Sequence, residues 1–142
     1  MSFAATDTLE SLVLSTFFIG LPYTFPAGGL YVGFFMLDPG ESGIGPEVVG
    51  GGYIRQPVTF GALTAGMSSE TQVSNTNVIT FPAATSAWGT ITHYGIFNAP
   101  TGGTCYVRCQ LTEPGGSAPS PLNVAINTVI TCSVGSLIVN VD

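Results

Sequence analysis

The chain has 142 residues, the size of a single domain whose core can form without disulfides or a structural metal. Two cations, Arg55 and Arg108, stand against eight acidic residues for a formal net charge of -6. Two cations cannot neutralise a run of phosphates, so direct nucleic-acid binding is excluded. Charged residues make up 7 % of the chain, where roughly 25 % is usual. Gly, Thr, Ser and Asn then carry the polarity, and such a surface loses little hydration when it meets other copies or other proteins.

The first segment, MSFAATDTLESLVLSTFFIG, is apolar but lacks a basic start and carries Asp7 and Glu10. It is a poor signal peptide, and no stretch reaches the ~18 uninterrupted apolar residues of a membrane span. Asp7-Thr8-Leu9-Glu10 reads as a capping box, with the Asp7 carboxylate accepting from the first turn and Glu10 reaching back. Leu9, Leu12, Val13 and Phe17 follow at helical spacing, and Gly20 with Pro22 supplies a stop. One amphipathic helix is predicted over about 8–19.

Every later element, from about 29 to 142, reads as a strand. GLYVGFFML (29–37) is apolar on both faces, as a strand buried on both sides requires. YIRQPVTF (53–60) alternates loosely, and Pro57 assigns it to an edge or a bulge because it lacks the N–H of a central strand. NVITF (77–81) is short, and WGTITHYGIFN (88–98) is long, with Gly89 and Gly95 marking bulges or close backbone approach. GTCYVRCQL (103–111) follows the turn signal Ala99-Pro100-Thr101-Gly102-Gly103 and should pair with 88–98 as a hairpin. TEPGGSAPSP (112–121) is a loop by composition, and LNVAINTVIT (122–131) and SLIVNVD (136–142) close the chain. Some seven strands separated by turns, with a single helix, predict a mainly β fold: an antiparallel β-sandwich or jelly-roll-like barrel with one N-terminal helix.

Four groups of residues could carry chemistry. His93 could act as a base or ligand, but without an acid nearby in sequence it reads as a half-buried strand residue. Cys105, Cys109 and Cys132 are odd in number, and residues four apart on one strand lie roughly 13 Å apart, so they read as buried thiols. Arg108, which could activate a thiolate, should point to the opposite face. Asp38, Glu41 and Glu47 lie on one glycine-rich loop and could hold calcium, yet their spacing is not that of a calcium hand and Asp38-Pro39-Gly40 is an ordinary turn. Gly50-Gly51-Gly52 could cradle an anion if a helix followed. Tyr53 to Val58 instead reads as a strand, so the glycines are expected to supply positive φ or close backbone approach. Arg55 is then expected to bridge to a loop carboxylate such as Glu47 or to a neighbouring subunit. No catalytic, cofactor-binding or metal residues are assigned, and an enzyme is not indicated.

LYVGFFMLDPGESGIGPEVVGGGYIRQPVTFG (30–61), SNTNVITFPAATSAWGTITHYGIFNAPTGGT (74–104) and the terminal SLIVNVD together resemble a family of small tailed-bacteriophage virion proteins, described as tail fibre, minor tail or decoration proteins. Cys105-Tyr106-Val107-Arg108-Cys109 departs from the hydrophobic run that follows the paired glycines in that family. The resemblance implies a β-rich structural module, 1–142, present in several copies on the virion and assembled in the host cytoplasm. Its implied partners are other virion proteins of the tail, or the major capsid protein if it is a cement protein, and further copies of itself. Fibres and decoration knobs in general suggest a trimer. A third reading, a module that binds a host surface glycan, would use Trp88, Tyr94 and Tyr106 as stacking surfaces. The helix is either an anchor to a neighbour or a cover over one end of the sandwich.

Overall fold

The structure, a computed structural model, describes residues 3–65 and 71–141. A short strand β1 (Phe3–Ala5) leads into helix α1 (Asp7–Leu14), which widens into a π-helical turn over Ser15–Ile19 and ends at Gly20 with φ of 78°. Strands follow as β2 (Leu30–Phe35), β3 (Gln56–Val58), β4 (Thr64–Ala65), β5 (Thr71–Ser74), β6 (Ile79–Thr80), β7 (Gly89–Ile91), β8 (His93–Phe97), β9 (Cys105–Gln110), β10 (Leu122–Val124), β11 (Thr131–Cys132) and β12 (Ile138–Val141).

A five-stranded antiparallel sheet in the order β1-β9-β8-β2-β3 organises the molecule, beside two two-stranded ribbons, β10-β7 and β11-β6, and a three-stranded sheet, β12-β5-β4. The mainly antiparallel β architecture with an N-terminal helix is thus present. Among the described residues the strands do not close into a barrel, because the connected strands break into short pieces that pair in separate sheets. Pro57 lies on the edge strand β3 opposite Tyr31, where no further partner needs its missing N–H. The expected hairpin is β8 with β9, His93 facing Gln110 and Ile96 facing Val107.

One face of the large sheet carries Val32, Phe34, Tyr94, Ile96, Val107 and Cys109 into the main core, where Ile79, Ile91 and Val124 from the small sheets, and Leu137 just ahead of β12, meet them. Phe81 is the aromatic centre, with Phe34 at 4.5 Å, Tyr53 stacked at 6.2 Å and Trp88 edge-on at 6.4 Å. Pairs of this kind add about 0.5–1.5 kcal/mol each beyond their area. Phe35, Phe97 and Cys105 form a second, smaller cluster. A register shift between Ile96 and Phe97 sets Phe97 opposite Cys105 and leaves Tyr106 over as an extra residue, which carries Cys105 away from the core that holds Cys109. The bulge thus sets the two cysteines of β9 in different clusters.

The helix also differs from its predicted form. Thr6, not Asp7, is the N-cap residue, and it makes no side-chain cap. Its buried hydroxyl instead donates to the Cys105 and Tyr106 carbonyls, at 2.8 and 3.1 Å. The β9 backbone has captured the group that would have capped the helix. No residue of the helix is fully buried; Leu9 packs partly on the core, while Phe17 and Phe18 are 77 and 80 % exposed. No helix among the described residues is long and apolar enough to cross a membrane.

Candidate functional site

The charged residues gather around the second cluster, under the loop that joins β2 to β3. Gly33 and Gly95 face each other across β2 and β8. A Cβ on Gly95 would lie 2.7 Å from the Phe35 ring and 2.8 Å from the Cys105 sulfur, and one on Gly33 would lie 2.7 Å from the Tyr53 hydroxyl. The glycine pair therefore opens the trough in which the rings and the loop lie.

Arg55 bridges the two ends of this trough. Its Nε and Nη2 donate to the two oxygens of Glu47 at 2.7 Å each, and Nη1 donates to the carbonyls of Ala99 and Gly102 at 2.8 and 2.7 Å. The guanidinium lies 3.5 Å above the centre of the Phe97 ring. The fork geometry of arginine suits this combination of bidentate pairing and stacking, which a lysine could not reproduce. The Tyr53 hydroxyl donates to Glu47 at 2.9 Å and accepts from the Phe34 N–H at 2.9 Å. Burial, with the Glu47 charge beside it, pushes the Tyr53 phenol far above its ordinary value and keeps it neutral. The expected bridge from Arg55 to Glu47 is present.

A second cluster joins Asp38, His93 and Arg108. Arg108 Nη1 donates to both Asp38 oxygens at 2.8 and 2.7 Å, and His93 Nε2 lies 3.9 Å from Asp38. Nδ1 of His93 shares a 2.8 Å hydrogen bond with the Thr92 hydroxyl. Burial, reinforced by Arg108, outweighs the Asp38 charge and lowers the His93 pKa. Burial opposes ionisation of Asp38, but the Gly40 N–H and Arg108 outweigh it and hold the carboxyl below its usual value. The acid that sequence proximity failed to supply for His93 thus arrives from a distant loop. It is already held by Arg108 and by the Gly40 N–H, at 2.9 Å, and the neighbouring hydroxyl of Thr92 is turned toward the imidazole and the Met36 carbonyl.

The loop acids disperse. Asp38 turns to Arg108 and Glu47 to Arg55, while the Glu41 carbonyl accepts the Asp7 N–H at 2.9 Å. Among the described residues no three acidic, histidine or cysteine side chains converge as a metal site. The cysteines are free thiols, two buried and Cys132 half-buried. Burial pushes each up to about 11, the opposite of what a nucleophile needs.

Gly50, Gly51 and Gly52 have φ of 79°, 57° and 76°, and a Cβ on Gly51 would meet the Ser86 carbonyl and the Trp88 ring at 2.8 Å. The carbonyl of Gly51 accepts the indole N–H of Trp88 at 2.8 Å and the Thr85 N–H at 2.9 Å. Both expected uses of the glycines, positive φ and close approach, occur at one residue. Trp88 and Tyr94 are buried in the core, so they offer no stacking face to a sugar; Tyr106 is half-buried against the helix. Asn75 escaped the sequence reading. It is buried, donates to Asn77 and Ser133, and accepts the Leu137 N–H at 2.9 Å, tying β5 to the end of the chain.

Fold and polar clusters together define an antiparallel β module whose two arginines, with Asp38 and Glu47, hold its own loops. A family model described as Podophage GP4 fiber I protein gp80 matches residues 4–139, and the chain belongs to that family. It is accordingly a tailed-phage virion protein of the fibre class, as the motifs around the triple glycine imply. No curated protein matches the chain.

Proposed function

We propose that the chain is a non-enzymatic structural component of the tail fibre apparatus, acting as one domain, without catalytic residues, cofactor or metal, and assembling with other virion proteins and with further copies of itself. The observation that carries this reading is the family match across nearly the whole chain, to proteins described as fibre components. The geometry supports it. His93 and the two arginines, the groups from which a hydrolytic site would be built, are held in contacts to loop carboxylates, neighbouring hydroxyls and carbonyls. Several large apolar side chains, by contrast, face solvent in the isolated chain, as expected of a protein completed by its neighbours. Immunogold labelling of purified virions with an antibody to the chain tests the assignment. Label on the tail appendages is expected; label on the capsid shell would replace the fibre role with that of a cement protein, and absence from virions would end both.

A further inference from the structure

Among the described residues, exposed large apolar side chains are most concentrated on one segment, the arm from Asp7 to Phe25 made of the helix, its π turn and the chain that follows Gly20. Eight large apolar side chains between Val13 and Phe25 face solvent, with Phe17, Phe18 and Ile19 at 77, 80 and 73 %. At 150–250 Å² for a large side chain their exposed area is on the order of 900 Å², comparable to the ~800 Å² that each partner contributes to a standard stable interface. Phe17, Phe18 and Ile19 lie in succession on the π-helical turn, and all three are exposed.

A receiving groove opens between the same arm and β9. A cleft of about 250 Å³ lies among Leu9, Leu12, Val13, Thr16, Phe17 and Tyr23 of the arm and Tyr106 of β9, with an almost wholly apolar wall. Each copy thus carries both an exposed apolar ridge, Phe18 and Ile19, and an apolar groove, so one copy can supply what the other receives, the requirement for contact between identical chains. Residues 11–37 hold no charged side chain, so two arms approach without repulsion although each chain carries -6 overall. That absence also argues against a lipid surface, for which interfacial helices place Lys and Arg beside their apolar face.

We propose that this arm is the self-association surface of the protein: Phe18 and Ile19 of one copy enter the groove between Leu9, Val13, Tyr23 and Tyr106 of a second copy. The proposal rests on the multi-copy structural role inferred above and assigns it to a particular surface.

Sedimentation of the full chain at micromolar concentration tests it, comparing wild type, the double variant Phe18→Ser/Ile19→Ser, and Val49→Ser, which removes an exposed apolar side chain outside the arm. The wild type and Val49→Ser should sediment as the same oligomer. The double variant should associate at least about tenfold more weakly, as loss of an interface hot spot predicts, with an unchanged far-UV spectrum and melting temperature. If the double variant loses its fold, Phe18→Ser alone is read in its place. A monomeric wild type, an oligomer that survives loss of Phe18 and Ile19, or equal dissociation by Val49→Ser would each overturn the proposal. So would flotation of monomeric wild type with phosphatidylcholine vesicles. Mass spectrometry of purified virions separates this failure from failure of the structural role, because a chain present in virions but indifferent to the arm substitutions refutes the arm alone.

Discussion

Replacing Arg55 by Met should cost about 3 kcal/mol. The side chain is only 7 % exposed, and its removal strands Glu47, which is 23 % exposed, with the Tyr53 hydroxyl as its remaining hydrogen bond. Breaking a buried pair by deleting one partner costs about 3–5 kcal/mol, since the remaining charge is left in a poorly solvated place. Water still reaches part of Glu47, which sets the cost at the lower end. The carbonyls of Ala99 and Gly102 also lose their donor, so the β8–β9 turn loosens together with the β2–β3 loop. For a domain of this size a loss of about 3 kcal/mol lowers the Tm by roughly 10 °C. Thermal and urea unfolding of Arg55→Met, Glu47→Gln and the double variant give the full cycle. Coupling should exceed about 1 kcal/mol, because residues in one network are not independent. A single-variant loss below about 1 kcal/mol, the range of a surface pair, with an additive cycle, would refute the reading of Arg55 as a clamp.

Gly51→Val should lose more than about 2 kcal/mol, since φ of 57° already costs a side chain about 1–2 kcal/mol and its Cβ would also meet Ser86 and Trp88 at 2.8 Å. Gly50→Ala, whose Cβ would meet nothing within 4 Å, should show only the first cost; equal losses in urea titrations would refute the steric argument. The lowered His93 pKa means that the unfolded chain binds the proton more readily, so its contribution is present above 6.5 and lost as pH falls through the lower folded value. The lowered Asp38 pKa adds a second loss below 3.8. Stability measured against pH should show both declines, with His93→Gln removing the first and Asp38→Asn the second; a profile unchanged in His93→Gln would contradict the assignment. Thiol titration of the native protein at pH 8 should be slow and begin at Cys132, the half-buried cysteine. Rapid labelling of Cys105 would show that the second cluster is open.

Much of the strand pattern was legible because burial and turn chemistry coincide. The doubly apolar run at β2 is central, and the proline at 57 marks an edge. The long segment 88–98 was read as one strand, but Thr92 interrupts it: β7 pairs with β10, while β8 joins the large sheet. Alternation gives no sign of a change of partner. Phe3–Ala5, Thr64–Ala65 and Thr71–Ser74 were not anticipated, being two to four residues long and too short for a period to register. The segment 122–131 was also expected as one strand, but it is two: β10 pairs with β7 and β11 with β6, and the chain turns between them at Asn127, whose φ is 66°. The other predicted strand ends ran one to three residues beyond the paired segments, and Asp142, placed in the last of them, lies outside the described residues. The contact of Arg55 with Glu47 could be anticipated because the two residues are eight apart in a chain with few charges. The meeting of Asp38 with Arg108 and His93 could not, since it depends on a fold-back across 70 residues. Thr6 carried a usable signal, a good N-cap residue just ahead of the helix, but its hydroxyl serves β9 instead.

The attachment of the arm has a mechanical consequence. Its first residue follows Thr6, which is fixed to β9 by its own N–H and by its hydroxyl. Beyond its far end the chain continues into β2, which is hydrogen-bonded on one side to β8 and on the other to β3. A load applied to the arm is therefore divided between an edge strand and an interior strand of the same sheet. Pulling the arm away acts on three ladders, β1 with β9 at the edge and β2 with both β8 and β3 inside the sheet. A tether of this kind delivers force from both ends of the arm into one sheet, so the load falls on hydrogen-bonded strands and not on a single terminus.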